Sequence, residues 1–486
     1  MKYILRKRFA LREWKDNRYP YGLLIFNGEA AFKLSREEFD LLKMADGRTD
    51  IFAEQESSDA FKKLLQKGII RPAKDGDILS EWQRYRYYDN PKYDSISLRL
   101  IGSCNYNCKH CFNAADVNAD TAQWKYEEVE RLVNEASECG ISMFRLTGGE
   151  PMLHPDFLKV MKLIKEKGML PRDIITNGAF ITQEKLDEIK AINDQAHFLI
   201  SFDCLGHHDW MRGKKGIEQK TIDAIKLCVE NGFYVILDVQ VNKATMDSLV
   251  ETAEFFDKLG VNTFRFIRTT ETPRWRELAG DAALSIEEYY DVCVDFLKKY
   301  YAKEHKMDII AWQFGWFYSK EKRYNFVASR CNASDYSDDF FSCQITSETI
   351  SLGSDGNIYP CQKISGQYDY LGWKLPNVKE VGLRAAMNDK EFLHDSRVTW
   401  GEIAKANEKC RNCLHFKQCG GGCRACAIVL SNNDFMGSDP YMCKFYEGNY
   451  PEKVASVLKD WTVQHKPIET HYGQEDLFET ACEILS

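Results

Sequence analysis

Between residues 95 and 268, apolar runs of strand-forming residues alternate with segments of helical periodicity. The six runs are SISLRLIGS, MFRLTGGEP, RDIITNG, HFLISFD, YVILDVQVN and TFRFIR. Strands separated by helix-length segments pair in parallel, and their apolar character indicates helices packed outside the sheet. The pattern predicts an α/β fold built on an open or partial (β/α)6 barrel, with functional groups gathered at the carboxyl ends of the strands.

The sequence CNYNCKHC directly follows the first of these strands, and we call it the three-cysteine loop. It places Cys104, Cys108 and Cys111 at spacings of four and three residues. Three thiolates so spaced can hold three corners of a 4Fe-4S cluster, which leaves one iron without a protein ligand. A zinc site that uses His110 as the fourth ligand is the alternative, but it explains little else in the sequence.

Metal ligation explains the 17 cysteines of this 486-residue chain better than a disulfide framework does. The N-terminal sequence MKYILRKRFALREW does not have the pattern of a secretory signal, and most of the cysteines fall in two groups. Single cysteines in helical patterns are expected to be packed thiols. They are Cys139, Cys228, Cys293 and Cys482.

The overall charge argues against whole classes of partner. The chain has 65 basic and 73 acidic residues, a net charge of -8, which does not suit a surface built to bind nucleic acid or anionic lipid. No uncharged run approaches the length that spans a membrane. We therefore predict a cytoplasmic protein with neither a nucleic-acid nor a membrane partner.

The pattern of residues 1 to 72 predicts a compact winged-helix-like unit. Asn27-Gly28 is a hairpin turn signal, Ser35 and Glu38 form a capping box, and DAFKKLLQKGII has one apolar helical face. Such units often bind DNA, and 15 basic against 11 acidic residues do not exclude it here. The charged, tyrosine-rich stretch EWQRYRYYDNPKYDS is predicted to be a linker.

The three-cysteine loop within a six-fold βα pattern resembles that of the radical S-adenosylmethionine (radical SAM) superfamily. In that family, the amino and carboxylate groups of S-adenosylmethionine (SAM) chelate the free iron. Reductive cleavage of the sulfonium then yields a 5'-deoxyadenosyl radical, which the protein positions and shields. The resemblance implies SAM as a cofactor and an electron donor such as flavodoxin or ferredoxin.

Further positions match residues that bind SAM in this family. Gly148, Gly149, Glu150 and Pro151 match its GGEP motif, whose backbone and glutamate hold the methionine amino group. His110 takes the place of the ring that packs near the adenine.

Five polar residues complete the implied SAM site. Ser201 and Asp203 match positions that meet the ribose, and Arg212 resembles an arginine that pairs with the carboxylate of SAM. Asn177 and Gln240, at neighbouring strand ends, are further candidates.

The cysteine spacing between residues 343 and 443 resembles the SPASM extension, which houses two auxiliary 4Fe-4S clusters in radical enzymes that modify peptides and proteins. The resemblance implies three 4Fe-4S clusters in all. It assigns an outer set to the outer auxiliary cluster: Cys410, Cys413, Cys419 and Cys443. It assigns an inner set to three corners of the other: Cys343, Cys361 and Cys423.

The fourth ligand of the inner cluster stays open. Cys331 is the nearest upstream cysteine, with eleven residues between it and Cys343. Either Cys331 reaches the inner cluster through a longer loop, or that cluster has an open iron that could bind a substrate thiolate. Cys426 and, in the second case, Cys331 would be packed thiols.

On such an enzyme the N-terminal unit resembles the recognition element of enzymes that mature ribosomally synthesised and post-translationally modified peptides (RiPPs). There a leader peptide adds a strand beside the third β-strand and lies against the third helix. The corresponding edge would be residues 29 to 34 and the helix residues 59 to 66. The predicted domains are residues 1–80 (peptide recognition), 81–94 (linker), 95–300 (partial barrel), 301–342 (bridging region), 343–450 (SPASM) and 451–486 (helical tail).

Together these resemblances imply a radical SAM maturase acting on a precursor peptide with a leader sequence, and installing a thioether or carbon-carbon cross-link. One alternative is oxidation of a cysteine or serine to formylglycine in a protein partner, as sulfatase maturases do. Another is an iron-sulfur DNA-binding regulator, against which the GGEP motif speaks. The segment RFIRTTETPRW is expected near the end of the sixth strand, but no residue is predicted as a catalytic base.

Overall fold

The structure is a computed structural model that describes residues 1–16, 21–26, 30–111, 122–269 and 273–464. The described residues divide into two compact units. Unit 1 comprises Met1–Tyr93 together with Ala136–Ser142, and unit 2 comprises the other described residues. The predicted hairpin turn at Asn27-Gly28 and most of the predicted helical tail lie outside the described residues.

Unit 1 contains two small sheets and three helices among its described residues. The sheet orders are β5-β1-β6 and β4-β3-β2-β7. The strands are β1 (Lys2–Leu5), β2 (Phe9–Trp14), β3 (Leu23–Phe26), β4 (Ala30–Lys33), β5 (Asp46–Asp50), β6 (Ile70–Pro72) and β7 (Arg86–Tyr88). The helices are α1 (Arg36–Met44), α2 (Ala53–Glu56) and α3 (Asp59–Gln66).

Local signals in unit 1 form as the sequence predicts. Ser35 and Glu38 make the reciprocal capping box that starts α1. The third helix buries Phe61 and Leu64, which share one hydrophobic core with Phe32 of β4. Strands β3 and β4, which flank residues 27–29, pair antiparallel.

The predicted linker contributes a strand to unit 1. Strand β7 pairs in parallel with β2. The ring of Tyr88 stacks on that of Trp14 with centroids 5.2 Å apart, and both side chains are buried. Aromatic burial of this size outweighs the charged composition that marked the stretch as a linker.

The six predicted strands of the barrel are confirmed. They are β8 (Ser95–Ile101), β9 (Met143–Gly148), β10 (Leu170–Thr176), β11 (His197–Ser201), β12 (Tyr234–Val241) and β13 (Thr263–Arg268). Each pairs in parallel with the next, so their carboxyl ends lie along one edge.

Eight helices lie between the described residues 122 and 300. They are α4 (Tyr126–Glu138), α5 (Phe157–Glu166), α6 (Gln183–Ile192), α7 (His208–Arg212), α8 (Glu218–Glu230), α9 (Leu249–Leu259), α10 (Pro273–Ala279) and α11 (Ile286–Tyr300). In α5 the buried residues recur at helical spacing, which is why this helix packs with a single apolar face: Phe157, Val160, Met161, Leu163 and Ile164.

The sheet continues beyond the predicted six strands to twelve, in the order β18-β17-β8-β9-β10-β11-β12-β13-β14-β15-β16-β19. The added strands are β14 (Asp308–Ala311), β15 (Gly315–Tyr318), β16 (Arg323–Phe326), β17 (Thr349–Leu352), β18 (Ile358–Tyr359) and β19 (Thr462–Val463). Strand β14 extends the parallel ladder beside β13, and β17 does so beside β8.

Short helices dominate the remaining described residues. They are α12 (Gln344–Glu348), α13 (Gln362–Leu371), α14 (Val378–Val381), α15 (Leu383–Met387), α16 (Lys390–Ser396), α17 (Trp400–Ala406), α18 (Glu408–Arg411), α19 (Phe416–Cys419), α20 (Arg424–Leu430), α21 (Pro440–Glu447) and α22 (Tyr450–Val457). Across the described part of the chain, no helix combines the length and apolar character needed to traverse a bilayer.

Candidate active site

The three-cysteine loop begins just after β8, and the residues that lead into it pair backbone to backbone with Gly149 and Glu150, which follow β9. The amide of Gly149 donates to the carbonyl of Ile101 at 2.7 Å, and that of Glu150 donates to the carbonyl of Ser103 at 3.0 Å. A Cβ on Gly149 would overlap the Ser103 carbonyl oxygen. Glycine is required here because the two backbones approach too closely for any side chain.

Glu150 is fully buried, with 0% of its surface exposed. One carboxylate oxygen accepts from the Thr176 hydroxyl at 2.8 Å and from the Met152 amide at 3.1 Å. The other accepts from the Asn177 amide at 2.8 Å. Burial raises the pKa of Glu150 to about 7, although these donors oppose the shift. The carboxylate is therefore fixed in position.

The three thiols of the loop converge with Tyr106 and Ile217 in one cluster. Burial raises the pKa of Cys104 to about 11, and repulsion from Cys108 and Cys111 adds to the shift. Burial also raises the pKa of Cys108. Among the described residues, no three His, Cys, Asp or Glu side chains are arranged to hold a single metal ion.

Arg212 lies between Cys108 and a buried carboxylate. Its Nε donates to Oδ2 of Asp203 at 2.8 Å, and its Nη1 lies 3.7 Å from the Cys108 sulfur. Asp203 is 0% and Arg212 5% exposed. Burial opposes the charge on Asp203, but Arg212 holds its pKa near 2. The residues predicted to meet the ribose and the carboxylate of one ligand therefore form an ion pair with each other.

The other predicted SAM residues lie around the same loop or at strand ends. The Asn177 side chain donates to Oδ1 of Asn105, inside the loop, at 2.8 Å. Burial lowers the pKa of His110 to about 3, and its buried Nδ1 has no partner among the described residues. Ser201 ends β11, and Gln240 lies near the end of β12.

The structure brings the inner set together. Burial raises the pKa of Cys361 to about 12, with added repulsion from Cys423 and Cys343. Strands β17 and β18 form an antiparallel hairpin between Cys343 and Cys361. The chain therefore reverses direction before it reaches Cys361. Gly356 turns this hairpin with a φ of 99°, a left-handed conformation that favours glycine.

The outer set also converges. Burial raises the pKa of Cys410 to about 11, and Cys443 and Cys413 add repulsion. Burial raises the pKa of Cys419 to about 12, with repulsion from Cys410 and Cys413. Cys443 enters from α21, whereas the other three lie between Cys410 and the end of α19.

The two remaining cysteines of this region lie beside different sets. Cys331 packs in a core with Cys410 and Phe416, and its sulfur lies 3.2 Å from the Lys417 carbonyl oxygen. It is thus placed beside the outer set. Cys426 interacts with Cys423 of the inner set.

Two family models match the chain. A model of the radical SAM superfamily matches residues 98–256, which contain the three-cysteine loop, the GGEP segment and Arg212. A model of an iron-sulfur cluster-binding domain, SPASM, matches residues 343–414. The chain is a radical SAM enzyme with a SPASM domain.

Relatives of this radical SAM enzyme include an AdoMet-dependent heme synthase from Methanosarcina barkeri, 23% identical over 351 residues, which are 71% of this chain and 95% of that protein. A PqqA peptide cyclase from Granulibacter bethesdensis is 23% identical over 338 residues, 69% of this chain and 83% of that protein. Among solved structures, SuiB of Streptococcus suis bound to precursor peptide SuiA matches with a TM-score of 0.63 at 16% identity, covering 91% of this chain and 100% of that chain. The SuiB likeness shows the fold.

The residues present fit the cofactors of a radical SAM enzyme. Buried thiols that repel one another become favourable thiolates when they bind iron. The unpartnered Nδ1 of His110 and the fixed carboxylate of Glu150 leave polar groups beside the loop that a ligand can engage. Cys104, Cys108 and Cys111 would hold the cluster of the radical SAM site.

Several residues of the site were not predicted from the sequence. Thr176 and Asn105 orient Glu150 and Asn177, and both adjoin residues that were predicted. The Nδ1 atom of His208 accepts a hydrogen bond from the Asp203 amide at 3.0 Å. The Nε of Arg274 donates a hydrogen bond to the Cys108 carbonyl at 3.1 Å. A polar pair at a strand end, such as Thr176-Asn177, was one available signal, and the position of His208 five residues after Asp203 was another. Arg274 of α10 is distant in sequence from Cys108 and gave no such signal.

Proposed function

We propose that this radical SAM enzyme modifies a ribosomally synthesised precursor peptide and installs a thioether cross-link between a cysteine sulfur and a carbon atom. The observation that carries the proposal is the combination of a radical SAM site with a small N-terminal unit in which β4 is an edge strand. Strand β4 ends the sheet β4-β3-β2-β7, so one side of it has no neighbouring strand among the described residues.

Within the SAM site, each residue has a role that its contacts support. Three hydrogen-bond donors orient the Glu150 carboxylate, which would accept a hydrogen bond from the amino group of SAM. Arg212 places positive charge beside Cys108. His110 stays neutral and would pack near the adenine. A bound 4Fe-4S cluster and SAM supply the 5'-deoxyadenosyl radical when an electron donor such as flavodoxin or ferredoxin reduces them.

Unit 1 would bind the leader of the precursor by strand addition along β4. In strand addition, backbone hydrogen bonds along the edge strand give affinity, and nearby side chains give selectivity. On the adjoining helix α3, Leu65 is 39% exposed although its neighbour Leu64 is buried. The SuiB match supports this role: the 9% of the chain that it leaves uncovered is smaller than unit 1, so the match reaches into this unit.

The auxiliary clusters would be held by the inner and outer sets within the predicted SPASM domain, residues 343–450. Up to Tyr93, the predicted linker, residues 81–94, would instead belong to the N-terminal unit through β7. Cys331 packs in one core with Cys410 of the outer set. This supports an inner cluster with three cysteine ligands and an open iron, which could bind a substrate thiolate. Closure of a thioether releases one hydrogen atom to the deoxyadenosyl radical, one thiol proton, and one electron that an auxiliary cluster can accept.

The test of the proposal uses the anaerobically reconstituted full chain, SAM, a reductant and the candidate precursor encoded beside its gene. We expect 5'-deoxyadenosine to form and the peptide to lose the mass of two hydrogens. Tandem mass spectrometry should find two residues joined. An intact peptide despite SAM cleavage contradicts the proposal, and a formylglycine with no joined residues supports the sulfatase-maturase alternative.

Leader binding is tested separately by fluorescence anisotropy with a labelled leader peptide. Leu65→Gln removes exposed apolar surface from α3 and should weaken binding several-fold. The matched control is Ile78→Gln, because Ile78 is 67% exposed in unit 1 but lies outside β4 and α3. Equal weakening by both variants would contradict recognition by β4 and α3.

A further inference from the structure

A cation-lined cavity of about 100 Å³ lies in unit 2. Its lining includes the side chains of Arg268, Arg276 and Lys363, together with Tyr441 and Cys426. Among the described residues, eight line the cavity, and none of these eight is an aspartate or a glutamate. Because a water needs only roughly 10–15 Å³ of such space, the cavity has room for a small ligand group.

The position of the cavity links the radical SAM site to the inner set. Arg268 ends β13, at the edge of the sheet where the three-cysteine loop follows β8. Arg276 belongs to α10, and two residues earlier in this helix Arg274 donates to the Cys108 carbonyl at 3.1 Å. One short helix thus contacts the three-cysteine loop and lines the cavity.

Another part of the lining adjoins the inner set. Lys363 follows Cys361 by two residues, and its Nζ lies 3.3 Å from the sulfur of Cys426. Cys426 in turn interacts with Cys423. A group bound in the cavity therefore lies beside elements that hold both the radical SAM loop and the inner set.

The chemistry of the lining specifies an anion. Three cationic side chains line one small space, and a space lined in this way favours a negative ligand. Guanidinium groups match the planar, two-oxygen geometry of a carboxylate. Val429 and Leu430, 40% and 42% exposed, add an apolar wall near the opening that can contact methylene groups.

We propose that this cavity binds a carboxylate of the peptide substrate, and so selects a peptide with an acidic side chain or its C-terminus near the modified residue. The inference rests on the proposed function, because it names the substrate class of the same enzyme. Arg268 and Arg276 would contact the carboxylate, and the carbon chain would lie along the apolar wall.

Three small probes test the binding by calorimetry on the anaerobically reconstituted full chain. They are N-acetyl-aspartate N-methylamide, its neutral asparagine counterpart, and N-acetyl-alanine, which offers only an α-carboxylate. At least one carboxylate probe should bind about tenfold or more tightly than the asparagine probe, since hydrogen bonds to charged groups are lost in the neutral one. The stronger of the two carboxylate probes identifies the source of the carboxylate.

Variants locate the binding site. Arg276→Gln and Arg268→Gln should each weaken the carboxylate probe about tenfold and leave the asparagine probe unchanged. Val429→Trp, which fills the opening without changing charge, should weaken it as well. The matched control is Arg384→Gln, which removes the same charge from an exposed residue of α15 outside the cavity.

The inference is overturned if neither carboxylate probe binds more tightly than the asparagine probe, if both arginine variants bind like the wild type, or if Arg384→Gln weakens binding as much as Arg276→Gln does. SAM cleavage by the wild type separates this failure from failure of the proposed function. Cleavage with modification of the precursor, but without carboxylate discrimination, rejects only the cavity assignment. No cleavage in the wild type rejects the proposed function itself.

Discussion

Removing a cysteine of the inner set should remove one cluster, whereas removing Cys331 should not. Cys361 interacts with both other members of the inner set, Cys343 and Cys423. Cys331 instead packs against Cys410 and places its sulfur 3.2 Å from the Lys417 carbonyl oxygen. The perturbations are therefore Cys361→Ala and Cys331→Ala, each made in the full chain.

The expected change follows from the number of sets. Three 4Fe-4S clusters correspond to about 12 irons per chain. Cys361→Ala leaves two thiols in the inner set and should lower the content to about eight irons. Cys331→Ala should leave about 12, because it removes a packed thiol at a cost of about 1 kcal/mol in unfolding free energy.

Iron and acid-labile sulfide per chain, measured after anaerobic reconstitution, distinguish these outcomes. Cys293→Ala is the control, since Cys293 is buried in α11 outside both sets. Loss of about four irons in Cys331→Ala but not in Cys361→Ala would refute the placement of both cysteines. A wild-type content near four irons would refute the two auxiliary clusters.

Three further predictions concern the barrel. Glu150→Gln should weaken SAM binding, measured by equilibrium dialysis, roughly tenfold or more, because the carboxylate accepts three hydrogen bonds; unchanged binding would contradict its role. Asp203→Asn leaves the buried Arg212 without its counter-charge and should lower the unfolding free energy of the iron-free chain by about 3 kcal/mol in urea, whereas a loss below about 1 kcal/mol would contradict the ion pair. Burial opposes the charge on Asp173, but His197 and Arg145 lower its pKa from 3.8 to about 2, so this carboxylate stabilises the fold above about pH 4 and the stabilisation is lost as pH falls towards 2. The stability difference between wild type and Asp173→Asn, about 2 kcal/mol at neutral pH, should shrink over that range, and a constant difference would contradict the assignment.

Local sequence patterns were sufficient to predict the six barrel strands and the cap of α1. The strands are long apolar runs, and the capping box is satisfied within four residues, so neither depends on distant partners. Strand β7 was missed because its stability comes from the stacking of Tyr88 on Trp14, which are far apart in sequence. The strands that extend the sheet are short, and their pairing with β13 and β8 is not encoded by local periodicity.

The candidate site shows the same limit. Motif spacing predicted the cysteine sets, but spacing alone could not show which of the two sets Cys331 lies beside. In the structure, Phe416 and Cys410 pack around Cys331, a contact between residues far apart in sequence. Likewise, the sequence placed Asp203 and Arg212 near SAM without revealing that the two side chains pair.

The continuity from the three-cysteine loop through α10 to the cavity has a consequence for the proposed chemistry. Cross-link formation needs a hydrogen atom to leave the substrate at one point and an electron to leave it at another. Arg274 contacts the loop and Arg276 lines the cavity, whereas Lys363 adjoins the inner set. A carboxylate held between these groups would anchor the peptide beside both the radical source and the electron acceptor. The choice of the modified residue would then depend on its distance from an acidic group in the peptide, so moving that group by one residue should shift the cross-link or abolish it.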